Sequence, residues 1–398
     1  MASLDVDLSR LNSAKTAVGV SFAMNGFAYA GWLSRAPAAR EALDISAAGF
    51  GLLLLCMSAS AIAAIPLAGP VVQRFGPSRT VMMSCLSLVS GLLILATAVW
   101  LGEPLLAGAG LLFAGMATSM WDVAMNVEGA DVERRLGRTL MPRFHAGFSL
   151  GTVTGAACGA LAAATGLPLS AQIYLSAVVT AAVMAFVIRL YLPHTPLEPG
   201  ERPAMSVGQA WREPRTLLIG LIMLGFGFTE GTANDWLAIS LVDGYGTSDT
   251  IGAIGFGVFV TAMTLARLFG GHAIERWGRV PVLRATALTA AAGLLLVVAG
   301  GSVPVALLGA LLWGIGASLG FPVGMSAAAD DPARAAIRVS VAGSVGYGAF
   351  LAGPPLIGFA AEHFGVLKSI LCVLAALTIG LAASRAARPL PLRPEASG

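Results

Sequence analysis

The chain has 398 residues, 57% of them hydrophobic and only 11% charged, with a net charge of +3. A soluble globular protein carries about 25% charged residues, so this composition excludes an ordinary soluble enzyme and puts most of the surface in lipid. Of the 24 basic residues only Lys15 and Lys368 are lysine. That arginine bias, with abundant Ala and Gly, points to a GC-rich bacterial genome, and the mild positive charge reads as membrane topology with no nucleic-acid partner.

A bilayer span needs about 20 apolar residues. Twelve runs qualify, near 15–36, 47–69, 79–100, 105–127, 144–165, 170–191, 215–238, 250–270, 281–300, 303–327, 339–360 and 367–385. The first is too long for the apolar core of a cleavable signal. The stretch 193–214, rich in Pro, Glu and Arg, separates an N-terminal half (1–192) from a C-terminal half (215–398) with a short tail. With both termini cytoplasmic, twenty of the 24 basic residues fall on the cytoplasmic side, which is the positive-inside pattern. Arg35, Arg40 and Lys368 fall outside, and Arg267 lies within a helix. A multi-pass protein of the bacterial inner (plasma) membrane is expected, as a monomer in the lipid bilayer. Cys56, Cys85, Cys158 and Cys372 all sit in apolar runs without CxxC spacing, and the four His are scattered. No metal site is expected.

Between the eighth and ninth runs lies Gly271-His272-Ala273-Ile274-Glu275-Arg276-Trp277-Gly278-Arg279. A weaker copy, Gly69-Pro70-Val71-Val72-Gln73-Arg74-Phe75-Gly76, stands about 200 residues earlier. Such a segment suits a tight turn between two membrane helices. Its first Gly permits close approach, its acid and Arg cap or pair, and its second Gly reverses the chain. The repeat extends further. Leu111-Leu112-Phe113 matches Leu311-Leu312-Trp313, and Asp131, Arg134 and Arg138 match Asp331, Arg334 and Arg338. The paired turns resemble the signature loop of the major facilitator superfamily, over essentially the whole chain. The resemblance implies an all-α membrane protein of twelve transmembrane helices in two pseudo-symmetric six-helix halves. It also implies gating roles for Gly69, Arg74, Gly76, Arg267, Gly271, Glu275, Arg276, Gly278 and Arg279.

No nucleophile elbow, phosphate loop or metal cluster occurs, so a non-enzyme is expected. A carrier instead needs a polar site within the membrane, where each ionisable residue costs about 2.5–3.5 kcal/mol to insert and is suspect by default. On the fourth run Asp122 and Asn126 share one helix face, with Trp121 beside them. The tenth run has Phe321, Pro322 and Ser326 at the equivalent places, so the charge belongs to one half. The bland alternative is a carboxylate paired with Arg134, Arg138 or His145. On the seventh run Glu230 and Asn234 share a face, Gly231 lies between them, and Asp235 and Trp236 follow. Asn25 lies near the middle of the first run. It suits a solute hydroxyl as well as a neighbouring helix. Arg267 is expected to reach the inner face or a loop acid. His145, at the start of the fifth run, is a lesser candidate for a proton relay.

Asp122-x-x-x-Asn126 followed by Arg143-Phe144-His145-Ala146-Gly147-Phe148-Ser149-Leu150-Gly151 resembles the fucose–proton symporter branch of the superfamily. The resemblance implies that Asp122 takes the proton, with Asn126 a neighbouring polar contact. Departures are plain. No acid occurs between Asp7 and Glu41, so a second carboxylate has to be Glu230; Gln73 replaces the acid of the first turn; and Gly108 to Ser119 lacks the Arg of many drug–proton antiporters. The expectation is proton-coupled symport of a small polar solute, a sugar or sugar derivative. Asp122 and Glu230 are the proton-coupling residues, and Asn25, Trp121, Asn126, Asn234 and Trp236 are the solute contacts. The proton is the coupling ion and no cofactor is expected. The alternative is proton-driven efflux of drug-like compounds or metabolites.

Overall fold

The computed structural model describes residues 7–193 and 204–390. Residues 194–203 of the expected linker, with Arg202, and the end of the tail, with Arg393, lie outside the described residues. The described chain is helical and divides into two compact units, Met1–Val207 and Gly208–Gly398.

The first unit holds α1 (Leu8–Leu33), α2 (Ala36–Ala42), α3 (Ala47–Phe75), α4 (Pro77–Leu101), α5 (Pro104–Leu136), α6 (Met141–Ala164) and α7 (Leu169–Val187). α8 (Val207–Ala210) precedes the long helices of the second. These are α9 (Pro214–Tyr245), α10 (Asp249–Trp277), α11 (Arg279–Ala299), α12 (Val303–Ala317), α13 (Gly320–Ala328), α14 (Ala335–Phe364), α15 (Val366–Ser369) and α16 (Cys372–Ala383). Among the described residues, ten helical stretches are long and apolar enough to cross a membrane. The long helices α1 and α14 occupy the places of the first and eleventh runs.

Both signature turns are built alike. Gly76 has φ 81° and ψ 163°, and Gly278 has φ 82° and ψ 161°. Each ends one helix and opens the next in the left-handed half of backbone space, where a side chain is strained. Arg74 stacks over Phe75 and Arg276 over Trp277, and all four are exposed.

The helix crossings repeat too. A Cβ on Gly91 of α4 would sit 2.6 Å from the Gly110 carbonyl of α5, and one on Gly293 of α11 would sit 2.6 Å from the Gly309 carbonyl of α12. Likewise a Cβ on Gly115 would strike the Met57 carbonyl of α3, and one on Gly314 the Phe259 carbonyl of α10. Backbone lies on backbone at these points because lipid supplies no hydrophobic drive, and close van der Waals packing holds the helices instead. One crossing differs. Between α1 and α6, a Cβ on Gly151 or Gly155 would meet the Ala23 or Phe27 carbonyl. Between α9 and α14, Gly220, Gly227 and Gly346 face the side chains of Val345, Phe350 and Met223.

The tenth run, expected as one helix, is broken at Ser318–Leu319 between α12 and α13. Pro322 is the reason. It has no N–H to give the Ser318 carbonyl four residues earlier, and its ring crowds that carbonyl. The equivalent residue of the first unit is Asp122, and α5 runs unbroken through it.

Candidate functional site

α5 extends nine residues beyond the expected fourth run before Gly137 ends it in the left-handed conformation, φ 62°. Glu133 on its last turns accepts from the N–H groups of Leu140 and Met141, both at 2.7 Å. A carboxylate thereby neutralises the positive end of α6 and fixes where His145 enters the bundle.

Asp122 is 8% exposed and Asn126 fully buried. The Asn126 amide donates to the Asp122 carbonyl at 2.9 Å and to Asp122 Oδ1 at 3.2 Å. Its own Oδ1 lies 3.2 Å from His145 Nε2. The His145 ring packs against Phe22, centroids 5.0 Å apart, and its carbonyl accepts from Ser149 Oγ. An acid, an amide and an imidazole are thus joined across α5 and α6, and α1 closes the group. On α1, Asn25 is 1% exposed, and neither its Oδ1 nor its Nδ2 meets a protein partner. A buried amide left unpaired is costly, and a polar guest or a water relieves it.

Trp121 departs from expectation. It is fully buried, and its indole N–H donates to Ser21 Oγ at 2.8 Å. It shapes the wall and offers no free face. Beside Ser21 lies the buried hydroxyl of Tyr191. Below it Glu128, 3% exposed, accepts from the Leu192 N–H at 2.7 Å. Sequence reading missed Glu128, Ser21 and Tyr191. An acid in the run-on of the fourth apolar stretch was the one available signal.

In the second unit, Glu230 and Arg267 meet. Arg267, 4% exposed on its side chain, donates from Nη2 to Glu230 Oε2 at 2.7 Å, and Glu230 is 16% exposed. Arg267 Nε also donates to the Ser318 carbonyl at 3.1 Å, the group that Pro322 leaves without an in-helix donor. Arg267 was expected at the inner face or on a loop acid. It instead pairs with a membrane carboxylate, because the helix break presents an acceptor beside it. Glu230 Oε1 has no protein partner among the described residues. Asn234 is exposed and not brought to Glu230, whereas Trp236 packs beside Gly358 of α14 with its indole N–H unpaired. Of the turn residues, Gly69 and Gly271 are buried within α3 and α10, and Glu275 is exposed. Arg279 joins the α13 end through Asp330 (2.8 Å) and Ser326 (2.8 Å), and Arg215 reaches the same Asp330 at 2.6 Å.

Two repeated helical units with charges buried inside membrane-length helices define a carrier. The profile of the Major Facilitator Superfamily matches residues 17–254, and the chain belongs to that superfamily. It is 35% identical to the uncharacterized transporter y4wD of Sinorhizobium fredii, over 89% of this chain and 93% of that one. It is 30% identical to an uncharacterized MFS-type transporter of Yersinia pestis, over 94% and 96%. Among solved structures, FucP in its outward conformation, a fucose:proton symporter of E. coli, superposes with a TM-score of 0.79 at 14% identity, covering 93% of this chain and 97% of FucP. At that identity the likeness speaks for the fold.

Proposed function

We propose that the protein is a secondary active transporter that couples inward flow of protons to uptake of a small polar solute, with sugars or sugar derivatives as the substrate class. The observation that supports this most is the buried chain Asp122–Asn126–His145. A carboxylate placed within the membrane and joined to an amide and an imidazole can gain and lose a proton without losing its position. Protonation removes the charge that keeps the site hydrated, and the bundle can then change state. Asn25, with donor and acceptor both unspent, suits the hydroxyls of a solute. Glu230 has one oxygen pinned by Arg267 and the other free, so its role shifts from proton carrier to acceptor for a solute hydroxyl or ammonium.

The test is the pH outside sealed proteoliposomes as pooled sugars are added. Symport raises the external pH. Asp122→Asn abolishes that rise and gradient-driven accumulation, while exchange of solute for solute persists. Accumulation unchanged in Asp122→Asn removes Asp122 from the mechanism. External acidification assigns antiport instead, and with it efflux.

A further inference from the structure

A cleft separate from the Asp122 group lies in the first unit, at the end opposite the α5–α6 turn. The cleft, of about 400 Å³, opens between α2, the last turn of α4 and the first turn of α7. Arg35, Glu41, Trp100, Leu169 and Ser170 are among its walls. Arg35 is held in place by one nitrogen, Nη1, which donates to the Leu167 carbonyl at 2.8 Å and to Gln172 Oε1 at 3.1 Å. Its remaining N–H groups meet no acceptor among the described residues. Glu41 is exposed and in no ion pair among the described residues, so Arg35 and Glu41 do not neutralise each other. Two opposite, unspent charges in one cleft, one of them held in place, call for a guest that carries both signs.

The level of the cleft narrows that guest. α1 ends at Leu33, α4 at Leu101, and α7 starts at Leu169, so the cleft stands where the spans emerge from the hydrocarbon. Trp100, 72% exposed, marks the same level, since Trp prefers the layer of lipid headgroups. The first turn of α7 adds N–H groups without in-helix acceptors, at the positive end of that helix. We propose that this cleft binds the headgroup of a zwitterionic phospholipid, a phosphodiester linked to a primary ammonium. Arg35, with Ser170 beside it, takes the phosphate, and Glu41 takes the ammonium. A quaternary ammonium has no N–H to donate, so Glu41 selects phosphatidylethanolamine over phosphatidylcholine. Nothing here depends on which solute the carrier moves.

The full chain is placed in nanodiscs of equal parts phosphatidylethanolamine, phosphatidylcholine and phosphatidylglycerol, and the lipids retained on release are weighed by native mass spectrometry. The wild type retains phosphatidylethanolamine above both others. Glu41→Gln lowers its preference over phosphatidylcholine about tenfold, the worth of one hydrogen bond to a charged group. The Glu41 side chain makes no hydrogen bond or ion pair among the described residues, so this variant folds and decides the matter. Arg35→Gln lowers retention of all three lipids. Equal retention of the two zwitterionic lipids, or an unchanged preference in Glu41→Gln, overturns the proposal. Preference for phosphatidylglycerol overturns it in favour of an anion site. Stabilisation of the detergent-solubilised protein by free phosphoethanolamine, without lipid retention, overturns it in favour of a soluble zwitterion.

Discussion

Asn126 shapes the geometry of the first unit's candidate site, because it is bonded to both Asp122 and His145. Its amide orientation follows from those two partners. The nitrogen faces a carboxylate that can only accept, and the oxygen faces the imidazole. The pair Asp122 and Asn126 was legible in the sequence, since four residues on a helix bring two side chains together. Tyr191 and Glu128 were not, because their neighbours come from segments far apart in the chain. Glu230 and Arg267 were each singled out, but their meeting was not foreseen. That pair gives a test at the same scale. Glu230→Gln leaves a buried guanidinium without its carboxylate partner. It should destabilise the protein by about 3–5 kcal/mol, read as a lower melting temperature in detergent. The double change Glu230→Gln with Arg267→Met should recover most of the loss. A single variant as stable as the wild type would mean that the charges are solvated rather than paired.

Among the elements, the broken tenth run departs furthest from its counterpart. Periodicity could not reveal the break, because an apolar run reads the same whether its hydrogen bonds are continuous or not. The residue that causes it was visible, since Pro322 was aligned with Asp122 as a difference between halves. Proline inside a helix costs about 3 kcal/mol, and here Arg267 offsets part of that by capping the Ser318 carbonyl. Pro322→Ala should therefore close the break. The new amide at position 322 should become protected from hydrogen exchange as strongly as its neighbours in α13, and stability should rise by up to about 3 kcal/mol. An amide at that position that exchanges freely would show that the flanking glycines, Gly316 and Gly320, hold the break open by themselves.

Across the whole molecule, the two units share a plan and differ in how their ends are tied. The second unit carries a charge network outside its spans. Glu213 takes two bonds from Arg338, at 2.8 and 2.5 Å, and one from Thr216. Burial alone would raise the Glu213 carboxyl, but Arg338, Thr216 and the charge of Arg334 outweigh it and hold it below its ordinary value of 4.5. A depressed carboxyl contributes stability above its unfolded value and loses it as pH falls through the folded one. Stability of the wild type should therefore decline below about pH 4.5, and Glu213→Gln should lose part of that decline. Identical acid profiles would place the sensitivity elsewhere. In the first unit, Ala130 stands where the second has Asp330, so the Arg79 end lacks the acid that gathers Arg215 and Arg279. The duplicated plan itself was legible from the paired turns, because a turn's sequence is short and its geometry strict. The shared crossings were not, since a glycine in an apolar run gives no sign of which carbonyl it faces. Those crossings have a consequence for descent. Any coding change at Gly91, Gly115, Gly293 or Gly314 adds atoms where a neighbouring chain already lies. Two copies of an ancestral half were thus free to drift in charge, polarity and bond pattern while these few positions kept their frames in step. That drift left one copy with Asp122 and the other with a proline at the matching place, on two frames that still share these crossings.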